Sequence, residues 1–161
     1  MNDAAEFRVV LRILEQIFGL YEIKEARMDF GSINWLAVLV CVVLAMISGF
    51  VWYHPKLFFP AWWAGIGKSG EPGNPNPMIF VFTILAAVVQ AVSLAFMVKL
   101  MGSTTAASGA LAGFMLWLGF VAPTNLVNKL FAGHGFKVWA IEAGNHLLNF
   151  LLFGAILAAW R

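Results

Sequence analysis

Long apolar runs separated by short polar breaks organise this chain. Asp29 is followed by 26 residues without Asp, Glu, Lys or Arg (30–55), Glu71 by 27 (72–98) and Lys99 by 29 (100–128), and residues 143–160 add 18 more. Crossing a ~30 Å hydrocarbon core takes about 20 apolar helical residues. The runs therefore predict four spans, at about 34–53, 78–99, 105–128 and 138–160. Residues 3–18 follow a different rhythm. Phe7, Val10, Leu11, Leu14, Ile17 and Phe18 recur at i, i+3 and i+4, with Arg8, Arg12, Glu15 and Gln16 opposite. Asp3 with Glu6 resembles a capping box and Gly19 a stop, so an amphipathic helix is predicted. The expected fold class is all-α: a four-transmembrane-helix bundle preceded by that helix. Residues 1–29 hold the helix and a charged linker, and residues 30–161 hold the membrane domain.

The breaks are equally informative. Residues 57–67 (LFFPAWWAGIG) predict a short interfacial helix beginning near Pro60, and KSGEPGNPNP after it cannot continue one. Lys99–Ser103 and residues 132–137 are tight connections. Trp35, Trp52, Trp62, Trp63, Trp139 and Trp160 fall where an aromatic belt would lie, whereas Trp117 sits deep in the third span, packed or facing lipid. Gly109 with Gly113, and Gly154 with Ala158, have the spacing that lets helix backbones approach closely in lipid.

Composition agrees with the spans. The chain is 61% hydrophobic and 11% charged, with mean hydropathy +0.84; water-soluble domains need about 25% charged residues to cover their surface. A net charge of +2 without any Lys/Arg cluster excludes nucleic acid as a partner. Cys41 is the only cysteine, which rules out an intrachain disulfide and a CxxC pair. The N-terminal segment does not read as a cleavable signal, because Asp3, Glu6, Arg8, Arg12 and Glu15 interrupt it. Four spans put both termini on one side, here side A, and loops 54–77 and 132–137 on side B. Orientation is not encoded: Lys24, Arg27, Lys99 and Arg161 on side A balance Lys56, Lys68, Lys129 and Lys137 on side B.

Polar side chains are costly in a bilayer, so their placement carries meaning. Glu142, Asn145, His146 and Asn149 share one face of the fourth span, and Thr124, Asn125 and Asn128 end the third. His54 follows the first, and the second carries Thr83 and Gln90. At 1.5 Å per residue Glu142 lies ~6 Å and His146 ~12 Å inside from Val138, and Asn125 ~5 Å before the end of the third span. These residues share the side-B leaflet, while 36–47, 106–116 and 150–159 on side A are almost wholly apolar. Two readings follow. Either the amides serve as interhelical glue, or the cluster lines a polar vestibule for a small ligand, ion, proton or lipid headgroup. The candidate binding residues are His54, Gln90, Asn125, Glu142, Asn145, His146 and Asn149. No HxxxH or HExxH is present and Asn is a poor transition-metal ligand, so no metal site is expected. Ser48, Ser93 and Ser108 lack any nucleophile motif and no phosphate-binding loop exists. A Glu–His acid/base pair is conceivable, but residue types alone do not separate it from a hydrogen-bonded pair. Neither an enzyme nor a cofactor is expected.

From Asn34 onward the chain resembles the domain-of-unknown-function 1761 family of small bacterial integral membrane proteins. The resemblance is carried by Asn34-Trp35, Trp52-Tyr53 with Pro55, Phe58/Phe59, Trp62/Trp63, Gly119-Phe120 with Asn125, and Gly154-Ala155-Ile156-Leu157. His54 departs from it, standing where the family more often has a small residue. The resemblance implies a four-helix, multi-pass protein of a bacterial cytoplasmic membrane and brings no reaction. The expected function is that of a non-catalytic accessory or assembly subunit, or a self-associating bundle. Its partners are then the lipid bilayer and other membrane subunits or further copies, with docking through Phe7, Leu11, Leu14 and Phe18. The alternative is a small transporter or channel component built on the vestibule.

Overall fold

Each charge-free run folds into one helix. The computed structural model describes residues 8–10 and 29–160. Most of the amphipathic segment, including the docking candidates Phe7, Leu11, Leu14 and Phe18, lies outside the described residues. The helices are α1 (Trp35–Trp52), α2 (Phe59–Gly65), α3 (Pro77–Leu100), α4 (Ala106–Phe131) and α5 (Gly135–Ala159). All but α2 are long and apolar enough to cross a membrane. The short α2 starts with Pro60 in its first turn, as the interfacial segment predicts.

Local chemistry sets the boundaries. The Asn34 side chain accepts hydrogen bonds from the Leu36 and Ala37 amides, and Asn76 caps Met78 with Pro77 opening α3. Thr105 and Ser108 form a reciprocal capping box at the start of α4. Two turns need glycine: Gly102 and Gly133 have φ of 66° and 75°. Each lets the next amide reach back to the helix, Ser103 to the Val98 carbonyl (3.1 Å) and His134 to that of Lys129 (3.0 Å).

The third span is not uniform. Pro123 has no N–H and its ring crowds the carbonyl four residues earlier. Just before it, Trp117–Val121 widens into a π turn, and the Ala122 amide bonds the Trp117 carbonyl instead. A hydropathy pattern does not register this break.

The bundle is built around α5, whose most apolar 18-residue window is 44% buried against 17–28% for the other spans. Its tightest neighbour is α4. A Cβ on Gly109 would fall on the Gly154 carbonyl oxygen, and one on Gly113 on that of Phe150. The small-residue spacing thus brings the two backbones into direct contact, where packing replaces the missing hydrophobic drive.

The side-A half is sealed by apolar contacts: Ala37 and Cys41 of α1, Ala91 and Leu94 of α3, and Phe153 and Leu157 of α5. The side-B half differs. Helix α3 buries Ala87, Ala91, Leu94 and Val98, yet residues 77–86 are exposed on every face. Its first half therefore stands off from the bundle. The side chains opposite are mostly small or polar (Ala45, Gly49, Asn145, Asn149), with Met46 among them, and offer little apolar ridge to pack against.

Candidate functional site

Where α3 stands off, a cavity of about 480 Å³ separates it from α1 and α5. Small side chains open it: Ala45 and Gly49 on α1 and Ala86 and Ala87 on α3. Polar ones line it, namely Thr83 and Gln90 of α3 and Asn145, His146 and Asn149 of α5. Tyr53 and Trp62 stand at its side-B end, their rings 5.2 Å apart in a T-shaped contact.

Asn145 and Asn149 are only 8% and 6% exposed. The Ser48 hydroxyl donates to Asn149 Oδ1 at 2.6 Å, and Asn149 Nδ2 donates to Asn145 Oδ1 at 3.5 Å. There the relay stops, because Asn145 Nδ2 is buried without a partner among the described residues. A buried donor left unpaired costs about 1–3 kcal/mol. The Gln90 amide, His146 imidazole and Tyr53 hydroxyl likewise have no hydrogen-bond partner among the described residues. The wall therefore presents several unused donors and acceptors.

Glu142 belongs to a separate centre. Its carboxylate meets Lys129 Nζ at 2.8 Å and accepts from the Trp62 indole N–H at 2.9 Å, and Asn125 adds a further hydrogen bond. Asn125 Oδ1 is itself buried without a partner among the described residues. Lys129 and Asn125 are one turn apart on α4, and the short 132–134 connection folds them against the start of α5. Trp62 joins the two centres, walling the cavity while its indole N–H holds the ion pair.

What α1 offers at each level explains the division. The Ser48–Asn149 bond fixes α1 against α5. At 1.5 Å per residue Glu142 lies ~10 Å toward side B from that bond. It is inside α5, as the sequence suggests, and level with the last turn of α1, where Trp52 donates to the Ile141 carbonyl. The α1 side chain at this level, Trp52, is thus taken, so α2 and α4 supply the partners of Glu142.

Of the seven candidates, Gln90, Asn145, His146 and Asn149 come together in the cavity, and Asn125 and Glu142 in the ion-pair centre. His54 joins neither; its Nδ1 accepts from the Lys56 amide at 3.2 Å in the turn after α1. Among the described residues no three His, Cys, Asp or Glu side chains gather within reach of one metal ion.

Four tryptophans also depart from a simple belt. Trp52 donates to the Ile141 carbonyl (2.9 Å), Trp117 to Ala143 (3.0 Å) and Trp139 to Ala122 (2.9 Å), while Trp62 serves Glu142. These indoles anchor α5 to its neighbours, whereas Trp35 and Trp160 remain half exposed at side A. Sequence reasoning missed Lys129 and Trp62 as partners of Glu142, and Ser48 as partner of Asn149. Only the i, i+4 spacing of Asn125 and Lys129 signalled any of this.

No curated protein and no solved structure matches the chain. Residues 36–158, which include both polar centres and the four long helices except the first residue of α1 and the last of α5, match the sequence profile described as protein of unknown function (DUF1761), and the chain belongs to that family.

Proposed function

We propose that this chain is a non-catalytic, multi-pass membrane protein that binds a small uncharged polar ligand in the cavity between α1, α3 and α5. The observation that carries the reading is the Asn145 amide, buried on the cavity wall with no partner for its N–H groups among the described residues. Interhelical glue would consume such a donor; a binding site keeps it for a ligand. Electrical neutrality follows from the surroundings, because the Glu142 carboxylate is already matched by Lys129 behind Trp62. The cavity also ends within the bundle. Ala37, Cys41, Ala91 and Phe153, each 0% exposed, close the side-A half, which favours binding over conduction through a single copy. A transporter component built on this site would need a second state or a second copy to release ligand on side A.

The accessory-subunit reading keeps one independent support, the apolar face of Phe7, Leu11, Leu14 and Phe18 in the sequence. It is compatible with a ligand site in the bundle.

Replacing Asn145 by Leu separates glue from binding site. If Asn145 only ties helices together, ligand-free protein should lose about 1–2 kcal/mol with its hydrogen bonds. If it is held for a ligand, removing a side chain whose buried N–H groups are unpaired and whose oxygen keeps one long bond of 3.5 Å leaves the thermal midpoint unchanged or raises it, as is common where a site is kept at the expense of stability. A clear drop in midpoint refutes the binding reading.

A further inference from the structure

The ligand's route and class can be argued from the way α3 stands off. We infer that the cavity takes an uncharged, hydroxyl- or carbonyl-bearing amphiphile that enters sideways from the bilayer, past the first half of α3. The inference rests on the cavity being a binding site and adds where its ligand comes from.

Three observations converge. First, Ile79, Thr83 and Ala86 line the cavity and are nevertheless exposed, as are all residues from 77 to 86. A wall residue that remains exposed marks an opening, and this one runs along a helix flank. Second, that flank is apolar: Met78, Ile79, Phe80, Val81 and Phe82 are 45–63% exposed. Water gains nothing along such a surface, whereas an acyl chain is at home there. Third, the unpaired donors and acceptors lie at the inner end of the opening, on Asn145, His146 and Gln90. A molecule with an apolar tail and an uncharged hydrogen-bonding group fits both environments at once. A free polar solute would match only the inner end. A charged headgroup would leave its charge unpaired, because Lys129 and Glu142 already satisfy one another.

The test uses the full chain in phosphatidylcholine nanodiscs, which avoids detergents that share the proposed ligand's chemistry. A monoacylglycerol with a diazirine near its head is photolysed and its adducts are mapped by mass spectrometry. Adducts are expected on cavity-wall residues such as Thr83, Ala86 and Met46, competed by monoolein and much less by oleate. Ala86→Trp, which fills the opening, should lower them several-fold. Leu85→Trp, on the neighbouring exposed face outside the cavity, should not. Ile79→Trp blocks the same opening if Ala86→Trp does not fold, as judged by its circular dichroism. Labelling that is uniform over the lipid-facing surface, or indifferent to the blocking variants, overturns the lateral route. Equal competition by oleate overturns the uncharged class. Competition by free glycerol as strong as by monoolein also overturns the inference, yet leaves the cavity a binding site for a water-borne solute. If neither compound reaches the wall and Asn145→Leu clearly lowers the thermal midpoint, the binding reading falls with it.

Discussion

The Lys129–Glu142 pair makes a quantitative prediction about how α4 is held to α5 at the side-B margin. Its two side chains are 22% and 13% exposed, so it is neither a freely solvated surface pair nor a fully buried one. Exposed pairs contribute about 0–1 kcal/mol, and breaking a buried one by removing a single partner costs about 3–5 kcal/mol. The two single variants should differ. In Glu142→Gln the Trp62 indole keeps an acceptor, and the freed lysine extends its long stem toward water, which limits the loss to about 1 kcal/mol. In Lys129→Met the carboxylate remains with only the Trp62 and Asn125 donors, and the loss should reach about 2–3 kcal/mol. The double variant removes both charges together and should lose less than the sum of the singles, with a coupling of about 1–2 kcal/mol. Equilibrium unfolding in mixed micelles, run as a double-mutant cycle, measures each value. Additive losses, or a larger loss for Glu142→Gln than for Lys129→Met, would refute this reading of the centre.

Gly109→Ala should cost about 1–3 kcal/mol, because its methyl would meet the Gly154 carbonyl, whereas Gly119→Ala, with open space around it, should stay within about 0.5 kcal/mol; thermal midpoints compare them directly. On a Cys41→Ala background, Ser69→Cys and Met101→Cys should react with an impermeant thiol reagent from opposite sides of sealed vesicles, and labelling from one side would break the four-span topology. Leu11→Asp with Leu14→Asp should release a co-purifying partner or lower bundle stability without preventing insertion; a pull-down in mild detergent and a melt that both stay unchanged would remove the docking role.

Much of the fold was readable because the bilayer imposes it. A charge-free run of sufficient length has few alternatives to a helix, and Asn34, Pro77 and Gly133 mark boundaries by chemistry that depends only on local sequence. The Gly109–Gly113 spacing likewise points to close packing before any partner is known. The stand-off of α3 was not readable, because residues 77–86 are as apolar as those that follow them. Which half packs is decided by what stands opposite, Ala45, Gly49 and Asn145 on one side and Cys41 and Phe153 on the other. The division of the polar cluster was hidden for a related reason. Spacing puts Glu142 and Asn149 on one helix face, but α1 offers Asn149 the Ser48 hydroxyl, whereas at the level of Glu142 its Trp52 indole is taken by the Ile141 carbonyl. The π turn at Trp117–Val121 left one trace in the sequence, Pro123.

Native mass spectrometry of protein released from nanodiscs of its own membrane lipids tests most directly whether the cavity is a binding site. Wild-type protein is predicted to retain a defined, uncharged adduct, and Asn145→Leu, folded to the same extent, is predicted to lose it. Identical adduct spectra for the two proteins, or an adduct that persists in Asn145→Leu, would contradict the account.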